Sequence, residues 1–157
     1  AYLNPGRSLA EVERLIAERA RQGAIPLALV AFADDELIGT VCLKTHDMDT
    51  RLDLSPWLAG LYLIPARRGQ GVGALLVEAI EREARALGVA KLHLYTPQSE
   101  TFYLALGWKT QAHLDYHGHP VALMRKLMLP GAPRRVLGLI QCYWHRFVPG
   151  QKAHRPT

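Results

Sequence analysis

The chain has 157 residues, is 49% hydrophobic and carries a formal net charge of +5, enough for one domain with a real core. No apolar run reaches the ~18 residues a bilayer span needs, no signal peptide is evident, and Cys42 and Cys142 do not make a disulfide framework. These features exclude a membrane-spanning or disulfide-stapled reading and leave a reducing cytoplasm as the default compartment.

The elements follow in chain order. Ser8-Leu9-Ala10-Glu11 is a capping box, and Leu9, Val12, Ile16 and Ala20 recur at helical spacing until Gly23, predicting a helix over 8–22. Residues 25–33 form a nearly continuous apolar strand, and Asp34-Asp35 turn it back into a second strand over 36–46. Residues 47–56 are a polar, irregular loop. A strand over 57–64 leads to Pro65-Ala66-Arg67-Arg68-Gly69-Gln70-Gly71-Val72-Gly73-Ala74. Leu75, Leu76, Ala79, Ile80, Ala84 and Leu87 then mark the buried stripe of a helix over 74–87, which Gly88 ends. A strand over 90–95, a short helix around Tyr103 and strands over 108–116 and 120–129 complete the order. His117-Gly118-His119 forms the last hairpin's tip. Hairpins flanking an alternating centre predict an α+β domain (α/β in its middle) with a mixed, mostly antiparallel sheet. Its one parallel pair, residues 57–64 with 90–95, is joined by the crossover helix.

The turn after the third strand is built to hold phosphate. Glycines at a helix start admit close backbone approach, and the free N–H groups there favour anionic oxygen. The alternative is a turn serving only helix–strand packing. The spacing Arg68-Gly69-Gln70-Gly71-Val72-Gly73 fits neither the dinucleotide nor the Walker pattern. It resembles the coenzyme A pyrophosphate loop of the GNAT (GCN5-related N-acetyltransferase) superfamily. Phe102-Tyr103-Leu104-Ala105-Leu106-Gly107-Trp108 resembles that family's Phe-Tyr-x-x-x-Gly-Phe/Trp element, and the likeness runs from about residue 11 to 127.

The resemblance implies a GNAT fold over residues 1–129, whose central parallel strands splay around a pantetheine arm. The family's usual first strand is not visible, so an upstream strand is expected to be missing here. It also implies acetyl-CoA as cosubstrate, with no metal. Arg68, Gly69, Gln70, Gly71, Val72, Gly73 and Ala74 would hold the pyrophosphate. Leu61, Tyr62 and Leu63 would pair with the pantetheine through main-chain groups, one of which polarises the thioester carbonyl. Thr96 stands where many members carry an asparagine that bonds the arm. Tyr103 is the candidate general acid for the departing thiolate, or positions its sulfur, or merely packs.

The general base is open. Trp57 occupies the position where some relatives use glutamate, and it cannot act as one. His46, Asp47, Asp49 and Asp53, in or beside the loop over 47–56, are the next candidates, alongside solvated loop residues and a base working through water. Their charge suits a cationic acceptor. His117 and His119 lack the further ligands zinc requires, and His93 alternates with Leu92 and Leu94 as a packed or cleft-facing residue.

The implied activity is transfer of an acetyl group to a primary amine, on a small molecule or a peptide, by an acyltransferase that moves groups other than amino-acyl groups. The alternative is a catalytically weak coenzyme A binding module with a regulatory or interaction role. The basic balance is weak evidence about partners, and no nucleic-acid partner is read from it. Residues 130–157 form an extension beyond the family's core. Val136, Ile140, Tyr143, Trp144 and Phe147 predict an amphipathic helix over 134–147, docked on its own domain or on a second subunit of a homodimer; a membrane surface is the other reading. A disordered tail follows over 150–157.

Overall fold

The computed structural model describes residues 25–33 and 36–129, and the backbone of residues 143–146. The order is β1 (Leu27–Ala33), β2 (Glu36–Lys44), β3 (Trp57–Leu63), a 3-10 turn (Pro65–Arg67), α1 (Val72–Ala86), β4 (Lys91–Thr96), α2 (Glu100–Ala105), β5 (Lys109–Tyr116), β6 (His119–Leu127) and β7 (Tyr143–Arg146). The helix expected over 8–22 and the tail over 150–157 lie outside the described residues. No helix among the described residues is long and apolar enough to cross a membrane.

The strands form one sheet in the order β5-β6-β4-β3-β2-β1-β7. Every neighbouring pair is antiparallel except β3 and β4, whose parallel pairing spans the crossover through α1. Alternation along the strands sorts side chains to two faces. Leu58, Leu92, Leu94, Ala122 and Met124 face the main core under α1. Trp57, Val121 and Leu123 form a second cluster on the other face, which the loop after β2 caps with the fully buried Met48. Leu76 and Ile80 on α1 are fully buried, with Val72 and Val77 beside them. At about 1.5–3 kcal/mol per large aliphatic side chain removed from water, this stripe docks the helix on the sheet.

The extension departs from the predicted helix. Tyr143–Arg146 is an edge strand, antiparallel to β1 with Phe32 opposite Tyr143 and Leu29 opposite Arg146. Aromatic residues favour strands, and the outer edge of β1 offers a row of backbone partners that outweighs a marginal helical periodicity. Residues 134–142 and 147 lie outside the described residues, and with them the docking helix and the homodimer contact expected of it.

Candidate active site

The turn between β3 and α1 is shaped by two left-handed glycines. After the 3-10 turn the chain passes Gly69 (φ +72°) and Gly71 (φ +83°) before α1 begins. A Cβ at either would be strained by its backbone conformation, yet would meet nothing within 4 Å. Their freedom serves the turn and an approach from outside, not internal packing. Gly73 differs: a Cβ there would stand 3.4 Å from both the Leu63 Cδ1 and Phe102 Cζ atoms. The Leu75 N–H donates to the Gly71 carbonyl at 3.2 Å and opens the helical ladder. The N–H groups of Val72, Gly73 and Ala74 therefore stand at the positive end of a 15-residue helix. Two side chains brace the turn. Gln70 Nε2 donates to the Ala66 carbonyl at 3.0 Å, and Arg68 Nε donates to the Leu63 carbonyl at 3.1 Å, with its guanidinium 5.7 Å above the Tyr62 ring.

Beside this turn the sheet opens. β3 and β4 are bridged at one residue pair, Trp57 with His93, and the His93 N–H donates to the Pro56 carbonyl at 3.1 Å. β2 meanwhile stays paired to β3 as far as Leu63, opposite Gly39. Leu61, Tyr62 and Leu63 thus keep β2 on one side and present their other backbone edge to the divergence. Gly60 (φ +61°) sits where the register with β2 shifts, a bulge that turns the strand. Sequence reasoning missed Gly60, although a lone glycine inside Trp57–Leu63 is the usual signal of a bulge.

Tyr103 lies on α2 with 6% of its surface exposed. Its ring meets Phe102 at 5.0 Å and Trp108 at 5.9 Å, both edge-on, and burial pushes its phenol up to about 12. The hydroxyl therefore keeps its proton across the neutral range. Thr96, also buried, accepts the Ser99 N–H at 3.0 Å and so shapes the turn into α2. Its own hydrogen remains available to donate.

On the opposite face, each acid of the loop is paired. Lys44 donates to Asp47, Arg51 makes two 2.9 Å bonds to Asp53, and His117 lies 3.2 Å from Asp49. The Arg51 hydrogen bond holds the Asp53 carboxyl below its ordinary range. His46 is exposed. Trp57 is fully buried and donates to the Leu54 carbonyl at 2.8 Å. It forms the floor beneath the loop. Two tyrosines that sequence reasoning did not single out lie on this face. Tyr95 and Tyr116 meet edge-on at 5.1 Å, and the Tyr95 phenol is pushed up to about 12 by burial and by the charge of Asp47, Tyr116 and Asp49. Nothing local in the sequence points to Tyr116 as the neighbour of Tyr95. No cluster of three or more His, Cys, Asp or Glu fit to hold a metal ion occurs among the described residues.

A phosphate-type turn at a splayed parallel pair, backed by a buried tyrosine, defines an acyl-CoA-type transferase fold. Residues 26–110 match the family described as Acetyltransferase (GNAT) domain, and the chain belongs to that family. Comparison with curated proteins gives no match. Among solved structures, the chain is similar to a spermidine N-acetyltransferase from Vibrio cholerae in complex with CoA and spermine. The identity is 21%, covering 79% of this chain and 78% of that one, with a TM-score of 0.63. It is similar to a ribosomal-protein-alanine N-acetyltransferase from Brucella melitensis (21% identity, 77% and 79% coverage, TM-score 0.63). An aminoglycoside 6'-N-acetyltransferase complexed with coenzyme A is also similar (20%, 80% and 84%, 0.60). At such identities the likeness speaks to the fold.

Proposed function

We propose that this chain is an acetyl-CoA-dependent N-acetyltransferase acting on a primary amine by direct attack on the thioester. The observation that carries the reading is the pair of left-handed glycines, Gly69 and Gly71, open to the outside at the N-terminus of α1. The backbone N–H groups of residues 69–74 would hold the pyrophosphate, with the braced Arg68 beside them. Acetyl-CoA supplies the activated acyl carbon. The outer edge of Leu61, Tyr62 and Leu63, whose Leu63 carbonyl also accepts from Arg68, would pair with the amides of the pantetheine, and one N–H would polarise the acetyl carbonyl. Thr96 would add one hydroxyl bond. Tyr103 would donate its hydrogen to the leaving sulfur. With a phenol near 12 against a thiol of ~8.5, this is hydrogen-bond stabilisation more than complete proton transfer.

The acceptor would enter from the face carrying Tyr95, Tyr116, Asp47 and Asp49, where acids and aromatic rings suit an ammonium group. It must lose a proton before attack, and water beside these carboxylates would take it. A second reading, a coenzyme A binding module without turnover, is favoured by one observation: each loop acid already has a basic side chain as its partner, so none stands free as a base. Thiol release from acetyl-CoA, followed over a panel of polyamines, aminoglycosides and peptides with free N-termini, separates the two. Calorimetric binding of coenzyme A with no turnover on any amine would select the module.

A further inference from the structure

A buried ionic network sits behind α2 and has no part in the chemistry above. Glu81 on α1 has 3% of its surface exposed. It accepts the Trp108 indole N–H at 3.1 Å, two bonds of 2.8 Å from Lys126 Nζ, and a 3.3 Å bond from Arg85. Lys126 also donates to the Leu106 carbonyl at 2.7 Å. Three elements, α1, β6 and the turn after α2, are thereby tied to one carboxylate.

Such a network is a poor source of stability, because desolvating the ions offsets most of their attraction, and well-packed apolar residues often do as well. What it fixes is position. α2 is six residues long, too short to hold itself. Its exit is clamped where it matters for Tyr103. The Trp108 and Leu106 N–H groups both donate to the Tyr103 carbonyl, at 3.1 and 3.0 Å, and the Trp108 ring lies against the Tyr103 ring at 5.9 Å. The two residues that flank Tyr103 in this way are the two the network grips.

We infer that Glu81, Lys126 and Trp108 are positioning residues that aim the Tyr103 hydroxyl at the leaving sulfur. The inference rests on the donor role given to Tyr103 above. The clamp acts at a distance: the carboxylate sets the indole and the Leu106 carbonyl, and these set the tyrosine.

The test is a double-mutant cycle read by thiol release, using acetyl-CoA with the best amine of the panel. Glu81→Gln with Lys126→Met removes the carboxylate and the ammonium together and leaves the part-exposed Arg85. In the parent background this pair is expected to lower kcat about 10-fold or more, as small misplacements do, with the KM for acetyl-CoA within about twofold. In a Tyr103→Phe background the same pair is expected to cost less than about twofold, because no hydroxyl remains to aim. Trp108→Phe, which keeps an aromatic ring but deletes the indole N–H and its bond to Glu81, is run in parallel under the same criteria and stands in for the pair should that variant fail to fold. Equal losses in both backgrounds, or an unchanged kcat in the parent background, overturn the inference. An unchanged kcat in Tyr103→Phe alone refutes the donor role itself, a separate and distinguishable failure.

Discussion

Replacing Gly71 with glutamate separates the turn's backbone role from its electrostatic one. A side chain at φ +83° is strained by about 1–2 kcal/mol. The new carboxylate would stand at the N-terminus of α1, where the helix dipole favours negative charge by ~0.3–1 kcal/mol. A Cβ at this position has no neighbour within 4 Å, so no clash adds to the cost and the variant should fold with a thermal midpoint lowered by only a few degrees. Binding is a different matter. A carboxylate about 4 Å from a phosphate, at an effective dielectric constant near 20, repels it by about 4 kcal/mol, close to a thousandfold in Kd. Gly71→Ala carries the same backbone strain without the charge, and should weaken coenzyme A binding far less, by about tenfold or under. Titration calorimetry with coenzyme A on both variants, alongside a thermal melt, measures each quantity. A folded Gly71→Glu variant that binds within tenfold of the parent would refute the assignment of this turn to the pyrophosphate.

Tyr103→Phe keeps the ring against Trp108 and should lower kcat about 10²-fold while leaving coenzyme A affinity unchanged; equal turnover would return Tyr103 to packing alone. Asp47→Asn with Asp49→Asn should raise the acceptor KM by about 5–30-fold, from ~1 kcal/mol per exposed charge, and flatten its salt dependence. Asp53→Asn, whose partner Arg51 holds it at the surface, should leave that KM alone, and an equal effect from all three would dissolve the distinction. His93 supplies a pH test. It is 1% exposed, packs on Trp57, and its pKa is lowered by burial first and then by Lys91, Arg51 and Arg125, against a raising hydrogen bond from Gln111. The unfolded chain therefore binds a proton before the folded one does, so this contribution is whole above ~6.5 and is lost as pH falls below it. The thermal midpoint should drop between about pH 6.5 and 5, above the range where Asp53 and Glu100 titrate, and His93→Leu should flatten that drop; a parallel slope in the variant would exonerate His93.

What the sequence disclosed and what it withheld divide along the length scale of the interactions. The Arg68–Gly73 spacing and the Tyr103 segment were legible because a glycine turn and a helix start are fixed by contiguous residues, and their geometry is as the spacing requires. The alternation of hairpins and crossover likewise specified a mixed sheet with one parallel pair, since each connection is short enough to constrain its neighbours, whereas the edge strand β7 was not foreseen. Gly60 was legible in principle, a single glycine inside an apolar strand, but the apolar run masked it. The burial of Trp57 was not legible for a different reason: a family position names a backbone site, whereas the side chain's burial follows from Met48 and from the Leu54 carbonyl, both brought there by the loop fold. Glu81 shows the limit most clearly. On α1 it reads as one more charge at the margin of an amphipathic stripe, and only the partners Trp108 and Lys126, 27 and 45 residues away, make its burial tolerable. A charge that is costly alone and acceptable in company cannot be recognised before the company is assembled. That is why side chains held by distant partners, rather than a turn built from contiguous residues, are the part of such a fold a sequence conceals.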